Sequence, residues 1–103
     1  MEELVLMLKE IGLPFAYDHF AEGESPKPPF ICYLLPGSNN FAADGKVYFH
    51  ISEVRIELYT DKKDLSVENK VTAVLDEHGI FYNRSEVWIV SEKLYEVIFQ
   101  MEV

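Results

Sequence analysis

Three histidines and one cysteine are the residues of this chain best suited to proton transfer, metal ligation or nucleophilic attack. His19, His50 and His78 are scattered, with no metal-ligand spacing among them. Asp18 and His19 are neighbours. In a strand, adjacent side chains point to opposite faces, so this pair is not expected to act together. His50 stands between Phe49 and Ile51 in an extended stretch, and alternation turns it toward solvent. His78 ends a helical pattern, where positive charge suits the negative end of the helix dipole. Cys32 lies in the apolar run Phe30-Ile31-Cys32-Tyr33-Leu34-Leu35, the setting of a small core residue. A single cysteine provides neither an internal disulfide nor a multi-thiolate zinc site. Glu2 with Glu3, and Glu22 with Glu24, fall in segments expected to be solvated, whereas a general acid–base pair needs a buried pocket. The sequence holds no phosphate-cradling glycine motif and no GxSxG elbow. These residues predict no catalytic site, no metal and no cofactor.

The elements that would hold such residues are legible in the hydrophobic pattern. Leu4, Leu8 and Ile11 recur at helical spacing over residues 2–11, Glu2 and Glu3 favour the positive end, and Gly12 and Pro14 stop the helix. Val5, Leu6 and Met7 extend its apolar surface around the circumference, so the helix needs cover on more than one side. Its own core supplies one cover; a neighbouring subunit against Leu4 and Met7 would supply another. Residues 15–20 have strand composition and precede a polar, proline-rich connection over 21–29. The run 30–35 predicts a strand buried on both faces. Turn formers crowd residues 36–46, with Phe41 alone among Asn39, Asn40 and Asp44. A connection of that length is a candidate docking loop.

Val47 to Thr60 is the longest extended stretch, and its apolar parity switches between Ile51 and Val54, which calls for a bulge near Ser52-Glu53. Residues 64–78 predict a second helix: Asp64 is its N-cap, Val67, Val71, Val74 and Leu75 its buried stripe, Glu68 part of its wet face, and Gly79 its stop. Residues 80–82 and 87–90 look strand-like around a polar Asn83-Arg84-Ser85 turn, and Tyr95 to Val103 alternates as a final half-buried strand. The expected fold is one α+β domain over residues 1–103, in the order α-β-β-β-α-β-β. It has a mostly antiparallel sheet of about five strands and two helices packed on one face.

The chain has 103 residues, enough for one domain with a modest core. Eighteen acidic residues against nine basic ones give a net charge of −9, distributed along the whole length. Such a chain is repelled by phosphate backbones and by anionic membrane surfaces. The opening Met-Glu-Glu has no basic n-region, and no apolar run approaches the length of a transmembrane helix, so neither a secretory signal nor a membrane span is expected.

Gly12-Leu13-Pro14-Phe15-Ala16-Tyr17 followed by Pro28-Pro29-Phe30-Ile31-Cys32-Tyr33 resembles the opening of tail-completion and tail-terminator proteins of long-tailed bacteriophages. The turn at Ala42-Ala43-Asp44, the strand Val54-Arg55-Ile56-Glu57-Leu58-Tyr59-Thr60, the helix ending Leu75-Asp76-Glu77-His78-Gly79-Ile80 and the strand Tyr95-Glu96-Val97-Ile98-Phe99 continue the likeness in order. The resemblance implies a structural virion protein, assembled in the bacterial host cytoplasm. It would cap the head-proximal end of the tail tube as a ring of identical subunits, typically hexameric. The ring ends tube polymerisation and forms the face that joins the head, and the genome later passes through it without specific binding. Implied partners are further copies of the chain, the major tail-tube protein and a head-completion or connector protein. No membrane and no cofactor are implied. Candidate interface residues are Asn39, Asn40, Phe41, Asp44, Leu4 and Met7. The chain's short length suggests that extended arms for gripping the tube are missing. Alternative readings are another phage neck connector subunit, or a small bacterial ligand-binding domain with a defined apolar pocket.

Overall fold

The computed structural model describes residues 2–38, 41–43, 46–49 and 52–103, with backbone alone at residues 2, 38, 41–43 and 46–49. In chain order the elements are α1 (Glu2–Ile11), β1 (Phe15–Tyr17), β2 (Phe30–Ser38), β3 (Phe41–Ala43), β4 (Lys46–Phe49), β5 (Ser52–Thr60), α2 (Leu65–Glu77), β6 (Tyr82–Ile89) and β7 (Leu94–Glu102). Five strands form a mixed sheet in the order β1-β2-β5-β7-β6, and β3 pairs with β4 in a separate two-stranded ribbon. The α+β class holds, with three antiparallel pairs and one parallel pair, β1 with β2. A parallel pair needs a crossover of about a dozen residues, and the proline-rich connection between Tyr17 and Phe30 provides it.

One core cluster collects Leu4, Met7, Leu8 and Ile11 of α1, Val67, Val71, Val74 and Leu75 of α2, and the strand positions Ile31, Val54, Ile56, Leu58, Val97, Phe99 and Met101. The strand members share one parity: Ile31 pairs with Leu58, Ile56 with Phe99, and Leu58 with Val97. A one-residue slip would turn every one of these side chains to the other face.

Both helices end as their sequences foretell. The Asp64 carboxylate accepts from the Val67 backbone N–H at 3.3 Å and from the Ser66 hydroxyl at 2.8 Å, which holds its pKa below the usual value. Gly79, at φ 68°, takes the left-handed turn after α2, and the Ile80 N–H reaches back to the Leu75 carbonyl at 2.9 Å. Gly12 performs the same reversal after α1 at φ 84°.

Several sequence expectations change. The bulge falls on β2, between Leu34 and Gly37, and β5 runs unbroken from Ser52 to Thr60. Pro36 lies inside the bulge and has no N–H for the ladder, which explains why the irregularity sits there. The stretch 47–60 is divided between β4 and β5, and β3 forms inside the stretch 36–46, where the sequence predicts a loop, which together raise the strand number to seven. Residues 83–85 are no turn: Asn83, Arg84 and Ser85 pair with Gln100, Phe99 and Ile98 inside a continuous β6. Glu68 is buried rather than wet.

The ribbon keeps the register of the strands that lead into it. Gly37 pairs with Glu53, Ser38 with Ser52 and Phe41 with Phe49, a constant sum of residue numbers, before one further shift. The β2–β5 and β3–β4 pairs thus share one register across these described residues, although the first belongs to the five-stranded sheet and the second to the separate ribbon. Ala43 pairs with Lys46, and Asp44 and Gly45 between them lie outside the described residues. The molecule measures 49 × 29 × 23 Å.

Candidate functional site

Residues of the second parity on β2, β5 and β7 make a separate buried layer. Phe30 pairs with Tyr59, Cys32 with Glu57, Glu57 with Ile98, and Tyr59 with Glu96. Phe30 stacks on Tyr59 at 5.1 Å, and Phe20 from the crossover meets Phe30 edge-on at 5.4 Å. This arrangement buries two carboxylates, Glu57 and Glu96, with one phenol between them. The Tyr59 hydroxyl lies 2.9 Å from Glu57 Oε1 and 2.7 Å from Glu96 Oε2.

A phenol carries one proton and can donate it to only one carboxylate. The second short contact requires a proton supplied by a carboxyl group. Burial raises the Glu57 pKa above its ordinary value and the nearby Glu96 adds to the rise, while the Tyr59 hydrogen bond and the Arg55 charge oppose it. Arg55 Nε approaches Glu57 Oε2 to 2.8 Å as an ion pair, but its N–H is not aligned for a hydrogen bond. Burial between the two acids also raises the Tyr59 hydroxyl pKa.

Cys32 belongs to the same layer, and burial followed by the charge of Glu57 pushes its thiol up to about 11. A thiol held in that state is protonated at neutral pH and is a poor nucleophile. Over this layer opens a groove of about 590 Å³ bordered by Phe20, Phe30, Cys32, Tyr59, Asp61 and Lys93. A second concavity of about 600 Å³ lies at the other end of the sheet, bordered by Pro36, Glu53, Ile80, Phe81 and Gln100.

Asp18 and His19 do meet: Asp18 leaves the strand at φ 63°, and His19 Nδ1 comes within 2.8 Å of Asp18 Oδ2. Alternation does not apply to a residue in the left-handed region, so the expectation of divergent side chains is corrected. The pair is exposed. His78 sits at the C-cap of α2 with Nε2 3.2 Å from Glu10 Oε2, linking the two helices. His50 lies outside the described residues. Among the described residues no three of His, Cys, Asp or Glu gather as a metal site.

Two of the candidate interface residues belong to the interior. Leu4 and Met7 are buried in the chain's own core, so their side chains face away from any partner; on α1 it is Leu6 that stands exposed. Helical spacing puts Leu4 and Met7 on the face shared with Leu8 and Ile11, and that face is the one the core takes. Asn39, Asn40 and Asp44 lie outside the described residues, and Phe41 begins β3 of the ribbon.

Sequence reasoning missed a row of exposed apolar residues at the sheet edge. Phe81, Val87, Trp88 and Val90 stand 83 %, 44 %, 43 % and 75 % exposed along and beside β6, the outermost strand of the sheet. They flank the polar run Asn83-Arg84-Ser85-Glu86, and reading Asn83-Arg84-Ser85 as a turn hid the continuous edge strand. No protein-family model matches the chain, and no curated protein matches it. Among the described residues no helix is long and apolar enough to cross a membrane.

Proposed function

We propose that the chain is a structural virion protein of the tail-terminator kind. It caps the head-proximal end of a phage tail tube as a ring, ends tube growth and offers the face that joins the head. In this reading it carries out no reaction and needs no cofactor. Its partners are its own copies, the major tail-tube protein and a head-completion protein.

The observation that carries the reading is the β3–β4 ribbon. It shares the register of the β2–β5 pair yet pairs with no strand of the main sheet. In this reading the ribbon serves as an arm despite the short chain, and the candidate residue Phe41 begins its first strand. A closed ring needs two different patches on each subunit, and an arm that grips a neighbour or the tube is one of them. The net charge of −9 supports free passage of DNA, because a lumen of that sign repels phosphate. The buried thiol supports a non-catalytic role for Cys32.

Purified chain added to polymerising tail-tube protein tests the proposal. The chain should shorten the tubes and sit at one end. The double variant Asn40→Ala with Phe41→Ala should lose that capping while its thermal midpoint stays put. Unaltered tube lengths with the parent chain would remove the reading, and a large loss of monomer stability in the variant would assign Phe41 to the core.

A further inference from the structure

The two outer strands of the sheet are protected very differently. β1 has three residues, bounded by Pro14 and by Asp18 at φ 63°. β6 has eight, with no proline and an unshifted register against β7, and among the described residues no strand pairs with its other side. Proteins blunt such edges with prolines, bulges or uncompensated charge. β6 instead carries one positive and one negative residue, Arg84 and Glu86, with exposed apolar residues at both ends.

We propose that β6 is the contact surface for a second copy of this chain, which joins by antiparallel β6–β6 pairing across a two-fold axis at Ser85. The register follows from the residues. A two-fold axis normal to the sheet keeps each face with its like, so paired residue numbers must differ by an even number. Centring on Ser85 sets Arg84 opposite Glu86 of the second copy, and Glu86 opposite its Arg84. It also sets Tyr82 opposite Trp88, Asn83 opposite Val87, and Phe81 opposite Ile89.

Opposite charges and aromatic pairs directly across two strands stabilise a sheet, and like charges destabilise it. Centring on Glu86 would set that carboxylate against its own copy, and centring on Arg84 would oppose two guanidiniums. Charge therefore selects the Ser85 register among the near ones. Within one chain Arg84 Nη2 lies 2.8 Å from Glu86 Oε1, with Lys63 on Glu86 and Glu68 on Arg84, so the dimer would join two such networks of alternating charge. The pairing also covers Phe81, Val87 and Trp88, the side chains that are otherwise left to water. This inference does not rest on the tail-terminator reading; under that reading the pair is the form of the chain away from the tube.

Sedimentation equilibrium of the purified chain gives the first test, with twice the monomer mass expected. Glu86→Arg sets like charges opposite one another twice per dimer and should weaken association by about tenfold or more. Ser85→Cys should form a covalent dimer under mild oxidation, because only the residue on the axis meets itself, and Asn83→Cys should not. Cys32, buried and protonated, does not compete. Circular dichroism on each variant checks that it is folded. A monomeric parent chain, an oligomer indifferent to Glu86→Arg, or equal cross-linking at positions 83 and 85 would each overturn the pairing.

Discussion

A hydroxyl between two buried carboxylates makes Tyr59 a counter of protons. Because the Glu57 pKa is raised in the folded chain above its ordinary 4.5, folding favours the protonated acid. The folded state therefore binds more protons than the unfolded state between that ordinary value and the raised one. Stability from this site is fully present below the ordinary value and falls as pH rises through the folded one. Urea melts across the mildly acidic range should show it: the parent chain loses stability with rising pH, and Glu57→Gln, always uncharged, loses less. An identical pH profile for the two would refute the shared-proton geometry. None of this was visible in the sequence, where Glu57 and Glu96 are ordinary alternating acids of two half-buried strands. Their approach depends on the pairing of β5 with β7, which sets Tyr59 opposite Glu96, and no local pattern encodes it. The burial of Cys32, in contrast, was legible from its apolar neighbours alone.

At the level of elements, hydrophobic period and capping chemistry foretold α1, α2 and β7. Local signals failed where a distant partner decides. The polar triplet Asn83-Arg84-Ser85 belongs to a strand because Arg84 reaches across to α2. There Arg84 and Lys63 hold the buried Glu68, with Lys63 Nζ 2.7 Å from Glu68 Oε2. Glu68→Ala should therefore cost about 1–2 kcal/mol in chemical melts, less than a fully buried pair because both cations are more than a third exposed. No loss at all would mean that the contact is only a surface pair. The two sides of α1 give a matched contrast. Leu8→Ala, at a fully buried site, should cost about 2–5 kcal/mol, whereas Leu6→Ala on the exposed side should change the midpoint little. Equal effects would show that the helix is rotated from the position described. The parallel pairing of β1 was illegible for a related reason: three residues carry too little pattern to name a partner strand.

For the whole molecule, we propose that this acidic α+β chain works by shape, through its β3–β4 ribbon and a ring built from copies of itself. The class of the fold could be read from the sequence because the order of helices and strands survives errors at individual boundaries. The ribbon could not, since residues 36–46 announce turns and the shared register emerges only from the pairing of Ser38 with Ser52 and of Phe41 with Phe49. The most direct test is the length distribution, by electron microscopy, of tails assembled in a virus lacking this gene. Tubes without a fixed length, carrying no heads, are the expected result. Tails of uniform length joined to heads, in particles that still infect, would contradict the account.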